Sequence, residues 1–375
     1  MGRVAGGNEA DRILMRHALA LAARGIGEVN PNPAVGCVVA RGREIVGEGS
    51  HPRAGGPHAE VLALRRAGRR SRGATVYVTL EPCAHHGRTP PCAPLLVEAG
   101  VSRVVAAIRD PNPLVSGRGL AWLRRAGIAV ETGLLSAEAE RLDERFLTWA
   151  RRGRPFVLLK AALTLDGRIA TASGRSKWLT APAARRQARW IRRLHDAVVV
   201  GIGTALADDP LLLPSPRTAR VFTRVVLDSR LRLPPGSRLA RTASPRTPVL
   251  VVATAPERIR RRALEARGVE VVAVGEEGGR VSLPAAIRAL SARGLTSLMV
   301  EGGSEVLGAF LAARLVDQVA LFRAPLLLGG RGSRPAFGGP DPRRIEDALR
   351  LEPVPAEPPF PWPWPPRFEL WRPRR

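Results

Sequence analysis

Three short pieces constrain this chain more than anything else in it: His58-Ala59-Glu60, then Pro82-Cys83, then Pro91-Cys92. One imidazole and two thiolates suit a borderline-soft zinc ion. Three protein ligands leave the fourth tetrahedral position open, as in catalytic rather than structural sites. Zinc lowers the pKa of water toward neutrality, and Glu60, two residues from the histidine, is placed to take a proton and pass it on. The plainer readings are ordinary helix-surface residues with two small apolar core cysteines, or a structural zinc site closed by His85 or His86. Cys37 lies in the apolar run Val35-Gly36-Cys37-Val38-Val39 and reads as core. With Cys37, Cys83 and Cys92 as the full set, no disulfide framework is indicated.

Along the chain the apolar pattern alternates between strand and helix. Helical spacing marks Asp11 to Arg24, and a Pro-Asn loop follows at Val29 to Pro33. Strands are expected over Ala34 to Ala40, Glu44 to Gly49, Thr75 to Leu80, Val101 to Ala107 and Ala129 to Thr132. Helices are expected over His58 to Ala67, Pro94 to Ala99 and Leu120 to Ala126. A second α/β unit starts near Pro155, with strands at Phe156 to Ala161, Ala197 to Val200, Val221 to Leu227, Pro248 to Ala253, Ser297 to Val300 and Gln318 to Phe322. Its helices are expected at Ala181 to Leu194, Leu283 to Ala292 and Ser304 to Ala312. The short, polar stretch Trp149 to Pro155 is the expected boundary. This gives domains over 1–150 and 151–352 and a Pro/Trp-rich tail over 353–375, read as an extended surface segment. Both domains belong to the layered α/β class.

The net charge of +26 invites a nucleic-acid reading. Against it, the cations are nearly all arginine, with Lys160 and Lys177 the only lysines, and they are spread along the chain without a basic tail. Diffuse charge of this kind reads as solvated surface, part of it able to attract phosphorylated substrates. No run of about 18 apolar residues suggests a membrane span, and Met1 to Arg12 carries no secretory signal. The expected location is the cytoplasm.

His-x-Glu followed by Pro-Cys is the signature of zinc deaminases of nucleobases, the glutamate not being a ligand. Here eight residues, Ala84 to Pro91, separate the cysteines instead of two. The run Glu81-Pro82-Cys83-Ala84-His85-His86-Gly87-Arg88-Thr89-Pro90-Pro91-Cys92 resembles the deaminase half of the bifunctional riboflavin biosynthesis family. So do Asn30 to Gly36 and Pro57 to Val61. Lys160 to Thr180 and Gly203 to Pro210 are similar to its reductase half. The resemblance runs from about Arg12 to about Gly330. It implies a cytidine-deaminase-like three-layer domain followed by a dihydrofolate-reductase-like domain. It implies removal of an amino group from 2,5-diamino-6-(5-phosphoribosylamino)pyrimidin-4-one, then NADPH-dependent reduction of the ribosyl group to ribityl. An oligomer is expected.

Residue by residue, the resemblance puts His58, Cys83 and Cys92 on zinc and Glu60 on the proton shuttle. Asn32, His51, His85, Arg88 and Thr89 fall on positions holding the pyrimidine or the ribose phosphate. Ala162, Trp178, Thr204, Asp208 and the turn Gly303, Ser304, Glu305, Val306, Leu307 fall on NADPH positions. Ser176, Arg192, Leu212 and Glu301 fall on reductase substrate positions. Lys160 and Asp208 are the candidates for catalytic polar work. No Gly-x-Gly-x-x-Gly follows a first strand, so a Rossmann domain is not indicated; the Gly302-Gly303 strand-to-helix turn is the phosphate candidate. Taken singly, each pocket residue has a structural reading too. Asn32 between prolines can set a turn, and Trp178 can be core. The family's usual arginine after Asp208-Asp209-Pro210 is missing, and either Arg217 is displaced into that role or Arg192 takes it. The competing readings are a deaminase of bases in RNA, favoured by the charge, and a regulatory protein on a degenerate enzyme fold.

Overall fold

The computed structural model describes residues 8–84, 90–112, 115–355 and 367–374. His85, Arg88 and Thr89 lie outside the described residues, as does the Pro/Trp-rich core of the tail. Chain contacts divide the molecule into two units, one ending at Gly153 and the other starting at Arg154.

In the first unit, α1 (Glu9–Ala23) leads into the hairpin β1 (Gly36–Arg41) and β2 (Glu44–Ser50). Then come α2 (Ala59–Ala67), β3 (Thr75–Leu80), α3 (Cys92–Glu98), β4 (Arg103–Ile108), α4 (Arg118–Arg125), β5 (Ala129–Thr132), α5 (Ser136–Leu142) and α6 (Glu144–Arg152). The five-stranded sheet runs β2-β1-β3-β4-β5. β2, β1 and β3 pair antiparallel, and β3, β4 and β5 parallel. Helices cover both faces, which is why β3 and β4 are buried along nearly their whole length.

Glycine sets how closely those layers approach. A Cβ at Gly36 would collide with the backbone of α1 at Ala18, and one at Gly49 with α2 at Ala59. The helix that His58 caps therefore lies directly against β2. A buried polar knot fixes the far side: Arg103 donates to both oxygens of Asp11 (2.9 and 3.0 Å) and to Glu131 (2.8 Å), and the Tyr77 hydroxyl also donates to Asp11 (2.5 Å). Arg103 is the largest of the influences that hold the Asp11 carboxyl below its usual range.

The second unit begins with β6 (Phe156–Thr164) and β7 (Arg168–Ala170), followed by α7 (Pro182–Arg193), β8 (Ala197–Gly201) and α8 (Ile202–Asp208). β9 (Thr223–Leu227), α9 (Arg238–Arg241), β10 (Val249–Ala253), α10 (Arg258–Glu265) and β11 (Val269–Ala273) continue it, then the small hairpin β12 (Glu276–Glu277) and β13 (Arg280–Val281). α11 (Leu283–Ser291), β14 (Ser297–Val300), α12 (Ser304–Ala312), β15 (Gln318–Ala324), β16 (Arg334–Pro335), β17 (Leu351–Pro353) and β18 (Glu369–Pro373) complete the chain. The main sheet runs β11-β10-β9-β8-β14-β6-β15-β18-β17 among the described residues. It is parallel up to β15, and β18 and β17 close it antiparallel. Valine-rich β8, β10 and β14 are buried end to end, as parallel strands covered on both faces must be.

The structure differs from the sequence reading at two places, the end of the first unit and the tail. The expected boundary at 150 falls inside α6, which runs on to Arg152 and stops at Gly153 in the left-handed conformation (φ 64°). Arginine is a good helix former, so Trp149 to Arg152 is helix rather than polar linker. The positive charge read as solvated surface is so at Arg260-Arg261-Arg262, exposed on α10, with the pairs Arg260–Glu257 (2.9 Å) and Arg261–Glu265 (2.8 Å). The segment Glu369–Pro373, read as tail, is a strand of the main sheet, with Leu370 buried and Trp371 opposite Val319. No helix among the described residues is long and apolar enough to cross a membrane.

Candidate functional site

Two helix starts and one turn build the first site. His58 is the N-cap of α2, in extended conformation, and Cys92 is the first residue of α3. Cys83 lies just beyond the end of β3. His58 Nδ1 is 3.1 Å from Cys92 Sγ and 3.6 Å from Cys83 Sγ, and the three ligand atoms all lie within 4.8 Å of one another. The Cys92 amide points at Cys83 Sγ (3.4 Å). Helix starts carry partial positive charge, which favours thiolate. The hydrogen bond from Cys92, with His58 adding to it, holds the Cys83 thiol far below its usual range, while Cys92 is pushed up. The set of one imidazole, one ready thiolate and one thiol at mutual ligand distances fits zinc with an open position.

Glu60, in the first turn of α2, is 4% exposed. Burial raises its carboxyl above the ordinary range, and the charge of His58 works against that rise. Its cavity of about 380 Å³ is also lined by Asn32, His51, Asp110, Phe146 and Trp149. His51 Nδ1 donates to the Pro57 carbonyl (3.0 Å), so its Nε2 is the acceptor for the Asn32 amide (3.0 Å). Burial lowers the pKa of His51, which favours the neutral ring that this role needs. Asp143 holds the Asn32 loop through the Ala34 amide (2.7 Å), and burial pushes its own carboxyl up to about 7.

The turn carrying Cys83 is pinned from behind. The buried Glu81 carboxylate accepts the amides of Asp110 (3.3 Å), Gly117 (3.0 Å), Gly119 (3.1 Å) and Leu120 (3.4 Å) at the start of α4. A Cβ on Gly119 would collide with the Pro82 carbonyl oxygen. Gly119→Ala is therefore expected to displace the turn, cost about 1–3 kcal/mol of stability, and lower the zinc retained per chain as read by elemental analysis. Full zinc occupancy in that variant would show that the turn does not depend on this contact.

The second site is a cavity of about 970 Å³ in the second unit. Thr204, Asp208, Gly303, Ser304, Glu305 and Val306 line it, with Ser176. Gly303 is the N-cap of α12, so the helix's first amides face the hollow. Gly201 and Gly302 leave room for Val306, and a Cβ on either would overlap it. Asp208 is paired with Lys177 (3.0 Å).

Arg192, Lys160 and Glu301 form a separate, partly buried cluster that does not line this cavity. Arg192 binds both oxygens of Glu301 and donates to the Leu213 carbonyl (3.0 Å); Lys160 Nζ is 3.5 Å from Glu301 and 5.6 Å from the Phe322 ring centroid. Burial alone would raise the Glu301 carboxyl, but Arg192 and then Lys160 overcome it and hold it at about 2.

The sequence profile of the cytidine and deoxycytidylate deaminase zinc-binding region matches residues 8–108, and that of the RibD C-terminal domain matches residues 155–357. The riboflavin biosynthesis protein RibD of Escherichia coli K12 is 44% identical over 333 residues, 85% of this chain and 89% of that protein. The chain belongs to the RibD family. A RibD structure from Acinetobacter baumannii superposes with a TM-score of 0.86 at 38% identity, covering 98% of this chain and 99% of the other. The Thermotoga maritima diaminohydroxyphosphoribosylaminopyrimidine deaminase/5-amino-6-(5-phosphoribosylamino)uracil reductase gives 0.82 at 36%, covering 97% and 99%. The family is a bifunctional deaminase and reductase of riboflavin biosynthesis. Its cytidine-deaminase-like zinc domain precedes a dihydrofolate-reductase-like domain that uses NADPH.

Within this RibD frame, the structure gathers His58, Glu60, Cys83, Asn32 and His51 around one cavity. It gathers Ser176, Thr204, Asp208 and Gly303 to Val306 around the other. Several sequence candidates stand elsewhere. Leu307 and Leu212 are core residues, and Ala162 is half-buried in β6. Trp178 is exposed rather than core, under the Arg185 guanidinium at 4.4 Å. Arg217 is exposed and lines neither cavity. Glu81, Asp110, Phe146 and Trp149 were not singled out from the sequence. Only Glu81, beside Pro82-Cys83, had a local signal.

Proposed function

We propose that this chain deaminates 2,5-diamino-6-(5-phosphoribosylamino)pyrimidin-4-one to 5-amino-6-(5-phosphoribosylamino)uracil in its first unit. The second unit then reduces the ribosyl group of that product to ribityl with NADPH. The observation that carries the reading is the convergence of His58, Cys83 and Cys92, their ligand atoms within 4.8 Å of one another, with buried Glu60 beside them on α2. Bound there, zinc supplies the Lewis acidity that makes water a nucleophile at neutral pH. Glu60 takes a proton from the attacking water and hands it to the departing amine, which leaves as ammonia. A carboxyl whose pKa is raised by burial is matched to both halves of that transfer. Asn32 and neutral His51 present a fixed donor and acceptor edge to the pyrimidine. Phe146 and Trp149 give the ring an apolar wall.

In the second unit NADPH supplies the hydride. The amides opening α12 receive the cofactor's phosphates, Thr204 adds a hydroxyl beside Gly303, and Asp208 stands on the cavity wall. The Arg192–Glu301–Lys160 cluster ties the end of β14 to the middle of β6 and to α7, which supports a positioning role for Lys160. We place the enzyme in the cytoplasm as an oligomer acting on small phosphorylated pyrimidines.

Metal removal tests the assignment. Chelated enzyme is expected to lose ammonia release entirely while still oxidising NADPH with the pre-deaminated substrate. Ammonia release that survives in protein shown to be zinc-free would refute the zinc-dependent step.

A further inference from the structure

The deaminase cavity is lined from distant parts of the first unit. Asn32 and His51 supply its polar edge, and α6 supplies Phe146 and Trp149, whose ring centroids are 6.3 Å apart. One side chain joins the two. Asp143 is the single residue between α5 and α6, the N-cap of α6, and is 5% exposed. An aspartate at an N-cap ordinarily accepts from the first amides of its own helix. Asp143 makes no such side-chain bond. Its carboxylate instead accepts the Ala34 amide at 2.7 Å, from a residue 109 positions away in the chain. The group best placed to stabilise α6 is thus committed to the Asn32 loop.

That loop has few donors to anchor it. Pro31 and Pro33 have no N–H to give, and the Asn32 amide turns back to the Val29 carbonyl (2.9 Å). The Ala34 amide, in a buried residue, requires an acceptor. Next along, the Val35 carbonyl accepts the His51 amide (2.9 Å), and the Asn32 side chain meets His51 Nε2 (3.0 Å). Placing Ala34 therefore places Asn32 and His51 together. On the other side of Asp143, Phe146 and Trp149 follow at three-residue steps, which puts both on one face of α6. We propose that Asp143 is a positioning residue of the deaminase, fixing the polar edge of the pyrimidine pocket relative to its aromatic wall, an inference that rests on the deaminase reading above. The position needs an acceptor oxygen at a set reach, not a negative charge. Burial pushes the Asp143 carboxyl up to about 7, with the Ala34 amide and Arg145 opposing the rise and Asp110 adding to it. A carboxyl in either protonation state keeps an oxygen that accepts the amide.

The test is steady-state ammonia release by zinc-loaded full-length enzyme on the diaminopyrimidine ribosyl phosphate, with zinc content measured beside it. Three variants separate reach from charge. Asp143→Asn keeps the acceptor at the same reach and removes the charge. Asp143→Glu keeps the charge and moves the oxygens out by a methylene. Asp143→Ala removes the acceptor. The alanine variant is expected to raise KM about ten-fold, the size expected when a buried amide loses its acceptor. Its kcat is expected to change far less, with zinc retained. The asparagine variant is expected to return KM close to that of wild type, and the glutamate variant to raise it as alanine does. The reverse order, glutamate normal and asparagine impaired, would assign the effect to charge and overturn the proposal. A loss of kcat at unchanged KM in the alanine and glutamate variants would mean a role in folding alone, and would overturn it as well. Where the alanine variant does not fold, the contrast between asparagine and glutamate decides by itself. Wild-type enzyme that releases no ammonia would remove the deaminase reading, and this inference with it. Active wild type with normal KM in every variant would remove only the role of Asp143.

Discussion

Glu60→Gln is expected to reduce ammonia release by about 10²- to 10⁴-fold with zinc content unchanged. The amide keeps the volume of the carboxylate and part of its hydrogen bonding, so the packing of α2 against β2 survives. It cannot accept and return a proton, so both halves of the transfer fail together. The NADPH-dependent step, built on another unit, is expected to be untouched when pre-deaminated substrate is supplied. Steady-state ammonia release beside elemental zinc analysis reads this. Near-normal turnover in a zinc-replete variant would remove Glu60 from the chemistry.

The second large effect falls on the reductase unit. Glu301→Ala leaves the guanidinium of Arg192 and the ammonium of Lys160 mostly buried without their counter-charge. Breaking a buried pair in this way costs about 3–5 kcal/mol. Amide exchange in β14 and β6 is expected to speed up by about 10²-fold or more. The same cluster sets an acid limit. The Glu301 pKa is depressed from its ordinary 4.5 to about 2, so its contribution to stability is complete above the ordinary value and drains away as pH falls from there toward 2. Unchanged exchange in the variant would mean that the cluster relaxes into solvent and holds nothing.

The zinc site was legible in the sequence for a physical reason. Its ligands sit at helix starts and at the end of a strand, where short motifs write themselves locally: His58 before α2, Cys83 after β3, Cys92 opening α3. The alternating strands and helices were equally local, because buried parallel strands appear as unbroken valine runs. What the sequence hid comes from elements brought together over distance. Phe146 and Trp149 reach the deaminase cavity from α6, a helix the sequence leaves unmarked except for its last residues, which read as the boundary. The split between cavity-lining Ser304, Glu305 and Val306 and core Leu307 depends on which way the first turn of α12 faces, which the motif does not encode. The pairing of Glu369–Pro373 with β15 is a long-range match that its proline-rich neighbourhood obscured.

The central claim is that one chain carries two consecutive activities. Its most direct test is product analysis after mixing zinc-loaded protein with the diaminopyrimidine ribosyl phosphate, with and without NADPH. The account predicts ammonia without NADPH, and a ribityl product only once NADPH is added. No ammonia under either condition would contradict it.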